Sequence, residues 1–170
     1  MTATVSLCVM TGSSAQTVTG PITGISFFGD LDSAVTALAD RQAHPVVRAS
    51  ASVEKHLRIR LDSAPANSLT RFKFWMTGSA PSGVALRAKL GVGTGGTSPG
   101  SDDSTPSSTA MSGDADAFSY TTSSRGVIDA GPYASSGQIT KAFLLQLQPG
   151  ASAATGTMAQ MSTHFSYEES

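Results

Sequence analysis

Apolar and polar positions alternate along several separate stretches of this chain. Over residues 53–61, Val53, Leu57, Ile59 and Leu61 alternate with Glu54, His56, Arg58 and Arg60. Such alternation marks a half-buried strand, because successive side chains point to opposite faces. Lys55 falls on the apolar register, so the strand is expected to enter the core only after it. Phe72, Phe74 and Met76 then alternate with Arg71, Lys73 and Trp75. The loop between the two runs, Asp62–Ser68 with Pro65 and Asn67, is short, so an antiparallel pair is expected. Leu86, Ala88 and Leu90 against Arg87 and Lys89 mark a further strand over 84–92. Ile139, Phe143, Leu145 and Leu147 mark another over 139–147, ended by the turn Pro149-Gly150.

Weaker strands are expected at 4–10, at 22–28 around Gly24, at 118–122, and at 157–167 with Met161, Phe165 and Tyr167 in register. Thr11–Gly20 reads as a linker. One helix is expected within Asp30–Gln42. Asp30 or Asp32 would cap it, Val35, Leu38 and Ala39 have helical spacing, and Pro45 stops it. The sum is an all-β chain, an antiparallel β-sandwich or jelly roll of about eight strands with at most one short helix. One domain, 1–170, is expected, with N-terminal strands in 4–28 and a C-terminal strand at 157–167.

Residues 91–116 break the pattern. Gly91, Gly93, Gly95 and Gly96 lead into a Ser/Thr/Asp tract, and no Lys or Arg lies between Lys89 and Arg125. A long flexible loop is expected here, because so few apolar groups cannot offset the ordering entropy.

Composition supports strands over helices. Charged residues are 14% of the chain, below the usual ~25%, while 26 Ser and 19 Thr supply the polar surface. The good helix formers are scarce. A net charge of −1 gives no counterion-release drive toward nucleic acid and no polybasic membrane signal. No secretory leader or membrane-length apolar run is expected. A lone cysteine, Cys8, reads as a small buried apolar group.

Candidate chemistry fails on physical grounds. Gly96-Thr97-Ser98-Pro99-Gly100 matches a nucleophile-elbow spacing. The elbow needs the N–H after the serine, and Pro99 has none. The glycine cluster lacks the Lys and helix start of a phosphate loop and reads as a linker. His44, His56 and His164 have no metal-ligand spacing and read as surface residues. Asp102, Asp103, Asp114 and Asp116 lack the further acids of a calcium loop. No catalytic, cofactor or metal residue is assigned.

What stands out instead is charge. Arg58, Arg60, Arg71, Lys73, Arg87 and Lys89 would share a basic face if their strands were neighbours. The 91–116 loop is acidic. A basic face meeting an acidic loop of another subunit would set register and partner. Trp75 lies on the basic side, as an interface anchor or under a loop of its own chain. The contact candidates are therefore Trp75, Arg58, Arg60, Arg71, Lys73, Asp102 and Asp103.

Two blocks resemble a known family. Ala51-Ser52-Val53-Glu54-Lys55-His56-Leu57-Arg58-Ile59-Arg60-Leu61, followed by Asn67-Ser68-Leu69-Thr70-Arg71-Phe72-Lys73-Phe74-Trp75, resembles a stretch of tailed-phage virion structural proteins. Phe143-Leu144-Leu145-Gln146-Leu147-Gln148-Pro149, Ala153-Ala154, Gly156 and Phe165-Ser166-Tyr167-Glu168 resemble their C-terminal pattern, departing at Pro149. The resemblance implies a β-sandwich in the virion, made in the bacterial host cytoplasm, with no catalytic residues. The expected role is a capsid decoration (cement) protein. It would be a dimer or trimer bridging subunits of the major capsid protein or bound to other virion proteins. A tail, neck or baseplate component and a jelly-roll carbohydrate-binding module are the alternatives. The module would need several exposed aromatics, and aromatics are 6% with one Trp.

Overall fold

The computed structural model describes residues 3–13, 17–34, 37–97, 104–154 and 161–170. Among these, nine strands form: β1 (Val5–Thr11), β2 (Thr17–Thr19), β3 (Lys55–Leu61), β4 (Leu69–Thr77), β5 (Val84–Val92), β6 (Ala115–Asp116), β7 (Gly126–Asp129), β8 (Ala142–Pro149) and β9 (Ser162–Glu169). One helix, α1 (Leu38–Ala43), precedes β3. Sheet A has the order β2-β1-β3-β8-β5-β6 and sheet B the order β7-β4-β9, with antiparallel neighbours throughout. The chain is an all-β sandwich.

The core lies between the sheets. Leu57, Ile59, Leu61, Leu86, Phe143, Leu145 and Leu147 of sheet A face Leu69, Phe72, Phe74 and Met76 of β4, and all are buried. Phe74 meets Phe143 across the layers at 5.2 Å and Tyr120 at 5.7 Å. Burial of such side chains is worth about 1.5–3 kcal/mol each and is the main stabilising term.

β3 and β4 are not paired, contrary to the expected hairpin. Each has one apolar face, and the chain crosses between layers at 62–68 so that the two faces meet. Residues 22–28 form no strand. They run as a strap, tied at its ends by Ile22 N–H donating to Leu7 O at 2.9 Å and Val53 N–H donating to Phe28 O at 2.8 Å. The expected linker instead contains β2. The helix is shorter than expected and enters from Ala37 without a side-chain cap. Asp30 lies against His44 at 2.8 Å, and Asp32 accepts the Gly12 N–H at 2.7 Å. Val35 lies outside the described residues, as do 157–160 of the expected C-terminal strand. At 118–122 a 3-10 turn, Ala117–Ser119, replaces the expected strand because Asp116 caps it, accepting the Phe118 N–H.

The outer face of sheet A is buried at its centre, where polar side chains lie among Cys8, Met10 and Leu144. His56 and Arg58, expected at the surface, are each 0% exposed, and Glu54 and Gln146 are buried beside them. Residues 107–111 bond to Glu54 and Gln146. Gln146 Nε2 donates to Ser52 O, Ser107 O and Thr109 O, and its Oε1 accepts the Met111 N–H. Glu54 N–H donates to Ser107 O, and Ser107 N–H donates to Glu54 Oε2. His56 Nε2 sits 3.2 Å from the same oxygen. Arg58 donates to Thr94 O and Thr140 O, both at 2.6 Å. This half of the expected flexible loop is thus pinned: loop backbone satisfies sheet side chains that would otherwise be buried without partners.

The glycine cluster is also built in. Gly96 exchanges two hydrogen bonds with Ile139. A Cβ on Gly95 would fall 1.7 Å from the Tyr133 hydroxyl, which donates to Asp129 at 2.7 Å. Burial, the Asp129 hydrogen bond and its charge push the Tyr133 phenol up.

Lys55 is buried with the core, its Nζ donating to Ser33 O at 2.9 Å and lying 4.9 Å from the Phe28 ring centre. Burial pulls it down to about 8, against the opposing pull of Asp32.

Two outcomes follow from these buried groups. Gln146→Leu strips partners from Ser52 O, Thr109 O and Met111 N–H. It should cost about 2–3 kcal/mol in urea unfolding and speed amide exchange at 107–111 while both sheets persist. Unfolded lysine keeps its proton to about pH 10.4, whereas folded Lys55 releases it near pH 8. Between those values the unfolded chain binds more protons, so this group makes stability rise with pH. The stability of wild type relative to Lys55→Met should climb by about 2–3 kcal/mol from about pH 7.5 to pH 10, read from urea titrations. Cys8 and Tyr133, both pushed up, give the opposite slope at high pH in both proteins and cancel in the difference.

Candidate interaction face

The outer face of sheet B is open. Cross-strand register sets its rows. Trp75 of β4 lies opposite His164 of β9, and Lys73 lies opposite Ser166 on one side and Val127 of β7 on the other. Arg125 precedes β7 and reaches across the sheet. Its Nε donates to Thr122 O at 3.0 Å, its Nη1 donates to Ser166 Oγ at 3.3 Å, and its guanidinium lies 4.4 Å from the Trp75 ring centre. His164 stacks on Trp75 at 5.2 Å and 11° between planes, and its Nε2 lies 2.8 Å from Thr77 Oγ1. Arg125, Trp75 and His164 thus form a row of planar groups across three strands.

A bulge aims the next cation. Apolar residues on β4 fall at 69, 72, 74 and 76, so the period of two slips once. There Arg71 adopts φ 53°, and the register with β9 shifts between Thr70 and Lys73. The extra residue keeps Leu69 and Phe72 both inside and throws Arg71 outward, its side chain 68% exposed and 2.9 Å from Glu168. Val127, 59% exposed, adds an apolar centre beside Lys73. The face carries Arg71, Lys73 and Arg125 against one acid, Glu168.

The contact candidates therefore separate. Trp75, Arg71 and Lys73 share this face. Trp75 is half-buried under the chain's own Arg125 rather than bare. Arg58 is a correction: it lies in sheet A, fully buried, holding two carbonyls. Arg60 is on sheet A as well and folds onto Asp62 at 2.8 Å. The single basic patch does not form, because β3, β4 and β5 are never neighbours. Arg87 pairs with Asp114 of its own chain, which places the acid of the 104–116 segment on sheet A. Asp102, Asp103 and the Ser98-Pro99-Gly100 part of the elbow motif lie outside the described residues. Arg125, Val127 and His164 were missed as contact residues. The sequence signal was there for His164 alone, on the polar register of its strand.

Among the described residues no three His, Cys, Asp or Glu side chains cluster as metal ligands, and no helix is long and apolar enough to cross a membrane. No protein-family model, curated protein or solved structure matches the chain.

Trp75 is the single tryptophan, so its cover can be read directly. Arg125→Ala should red-shift Trp75 emission and raise its acrylamide quenching about twofold. The stability cost should stay near 0.5–1 kcal/mol, the usual worth of an exposed cation–π contact.

Proposed function

We propose that this chain is a phage virion structural protein that decorates and cements the capsid, adhering through the outer face of sheet B. The observation that carries the reading is the asymmetry of the two sheets. The centre of sheet A's outer side is covered by the chain's own loop, while sheet B presents Arg71, Lys73, Arg125 and Val127, with Trp75 half-buried beneath Arg125. A cationic rim around an aromatic and an apolar residue is the make-up of a protein-binding patch. The sequence likeness to tailed-phage virion proteins supplies the partner class: the major capsid protein or another virion protein. Its first block falls on β3 and β4, including Trp75. The arrangement does not suit a carbohydrate-binding module, because Arg125 already occupies the one tryptophan ring.

Particles assembled without the protein provide the test. Wild-type protein should bind them at a copy number comparable to that of the major capsid protein. Lys73→Glu combined with Arg125→Glu should bind at least tenfold more weakly while keeping the wild-type melting temperature within a few degrees. A handful of copies per particle, or undiminished binding of the charge-reversed variant, overturns the reading.

A further inference from the structure

Sheet B is three strands wide against six in sheet A, and β9 is its edge. Inward-facing residues of the central strand, Phe72, Phe74 and Met76, are buried, whereas Thr163, Phe165 and Tyr167 of β9 are only half-buried. Among the described residues no strand pairs along their flank. A cleft of about 500 Å³ runs along it, floored by Leu86, Leu145 and Met76 and walled by Phe165 on one side and Ile22 and Ile25 of the strap on the other. Among the described residues no charged side chain lines it.

Both walls carry unspent backbone. Among the described residues, no backbone hydrogen bond reaches the free side of β9 over 162–169, and none involves 23–27 of the strap. An unprotected edge of this length pairs readily with another strand. Natural edges are blunted with Lys, Pro or an inward charge. β9, Ser-Thr-His-Phe-Ser-Tyr-Glu-Glu, has no Lys or Pro, and its one charge on the inward register, Glu169, closes its end.

We propose that β9 and the strap frame an acceptor slot for one extended strand of another polypeptide. Main-chain pairing to β9 supplies affinity, and alternate side chains entering the cleft supply selection. The lining fixes the chemistry of the occupant. Added antiparallel to β9, it turns the residues opposite Thr163, Phe165 and Tyr167 toward the cleft, and these must be apolar. It turns the residue opposite Glu168 outward, where a Lys or Arg would share that carboxylate with Arg71. The occupant is therefore a strand of alternating apolar and uncharged polar residues with one basic residue at its N-terminal end. The slot does not depend on the virion reading.

The probe is an acetylated, amidated peptide Lys-Val-Thr-Val-Thr-Val, titrated into the full chain and followed by amide NMR and hydrogen exchange. Saturable binding should slow exchange at 161–167 and at 23–27 and leave sheet A unchanged. Replacing the central Val by Pro removes an N–H and should weaken binding roughly tenfold. Replacing Lys by Glu should weaken it severalfold. No saturation at millimolar peptide, equal binding of the Pro peptide, or protection away from these two segments overturns the proposal. So does closure of the β9 edge by a second copy, seen as concentration-dependent self-association that the peptide does not compete.

Discussion

The buried polar layer on the outer side of sheet A is the constraint that the rest of the architecture depends on. Glu54, His56, Arg58 and Gln146 leave water on folding, and each must then find partners. The backbones of Thr94, Ser107, Thr109 and Met111 supply them to Glu54, Arg58 and Gln146, and Glu54 in turn supplies His56 Nε2. The exchange is reciprocal. A Ser/Thr-rich loop with few apolar groups cannot order itself, but sheet side chains that bind its carbonyls can order it. Left unsatisfied, such groups would cost about 1–3 kcal/mol each, so sheet and loop stand or fall together.

That seal decides where a partner can attach. With the centre of sheet A covered on both sides, the open face lies on sheet B, where a bulge turns Arg71 outward and Arg125 spans Trp75 to reach Ser166. The uneven widths of the sheets leave a second opportunity at the β9 edge, where the strap follows the cleft without pairing to it. Face and slot lie on the same three-stranded sheet. The face offers side-chain complementarity, and the slot, independently, offers main-chain pairing.

Much of the fold was legible in the alternation. The strands at 55–61, 69–77, 84–92 and 142–149 lie where period two is clean. Alternation reports which residues share a face, but not what covers that face. Hence Arg58 and His56 looked solvated: their faces are polar, and the cover is a distant loop that carries no apolar signal of its own. The same limit produced the false β3–β4 hairpin, since a short connection can cross between layers as easily as turn within one. The bulge at Arg71 was visible as the slip from 69 to 72. Arg125 had no signal, because it lies in a turn and acts through reach rather than register.

Histidine modification by diethyl pyrocarbonate tests the sealed-sheet claim most directly, because one reagent reads both sheets. His56 lies under the loop on sheet A with none of its side chain exposed, while His164 lies on the open face of sheet B. In the folded protein His164 should be modified and His56 should stay unmodified until the chain unfolds. Modification of His56 at a rate close to that of His164 in the folded protein would show sheet A to be open and would contradict the account.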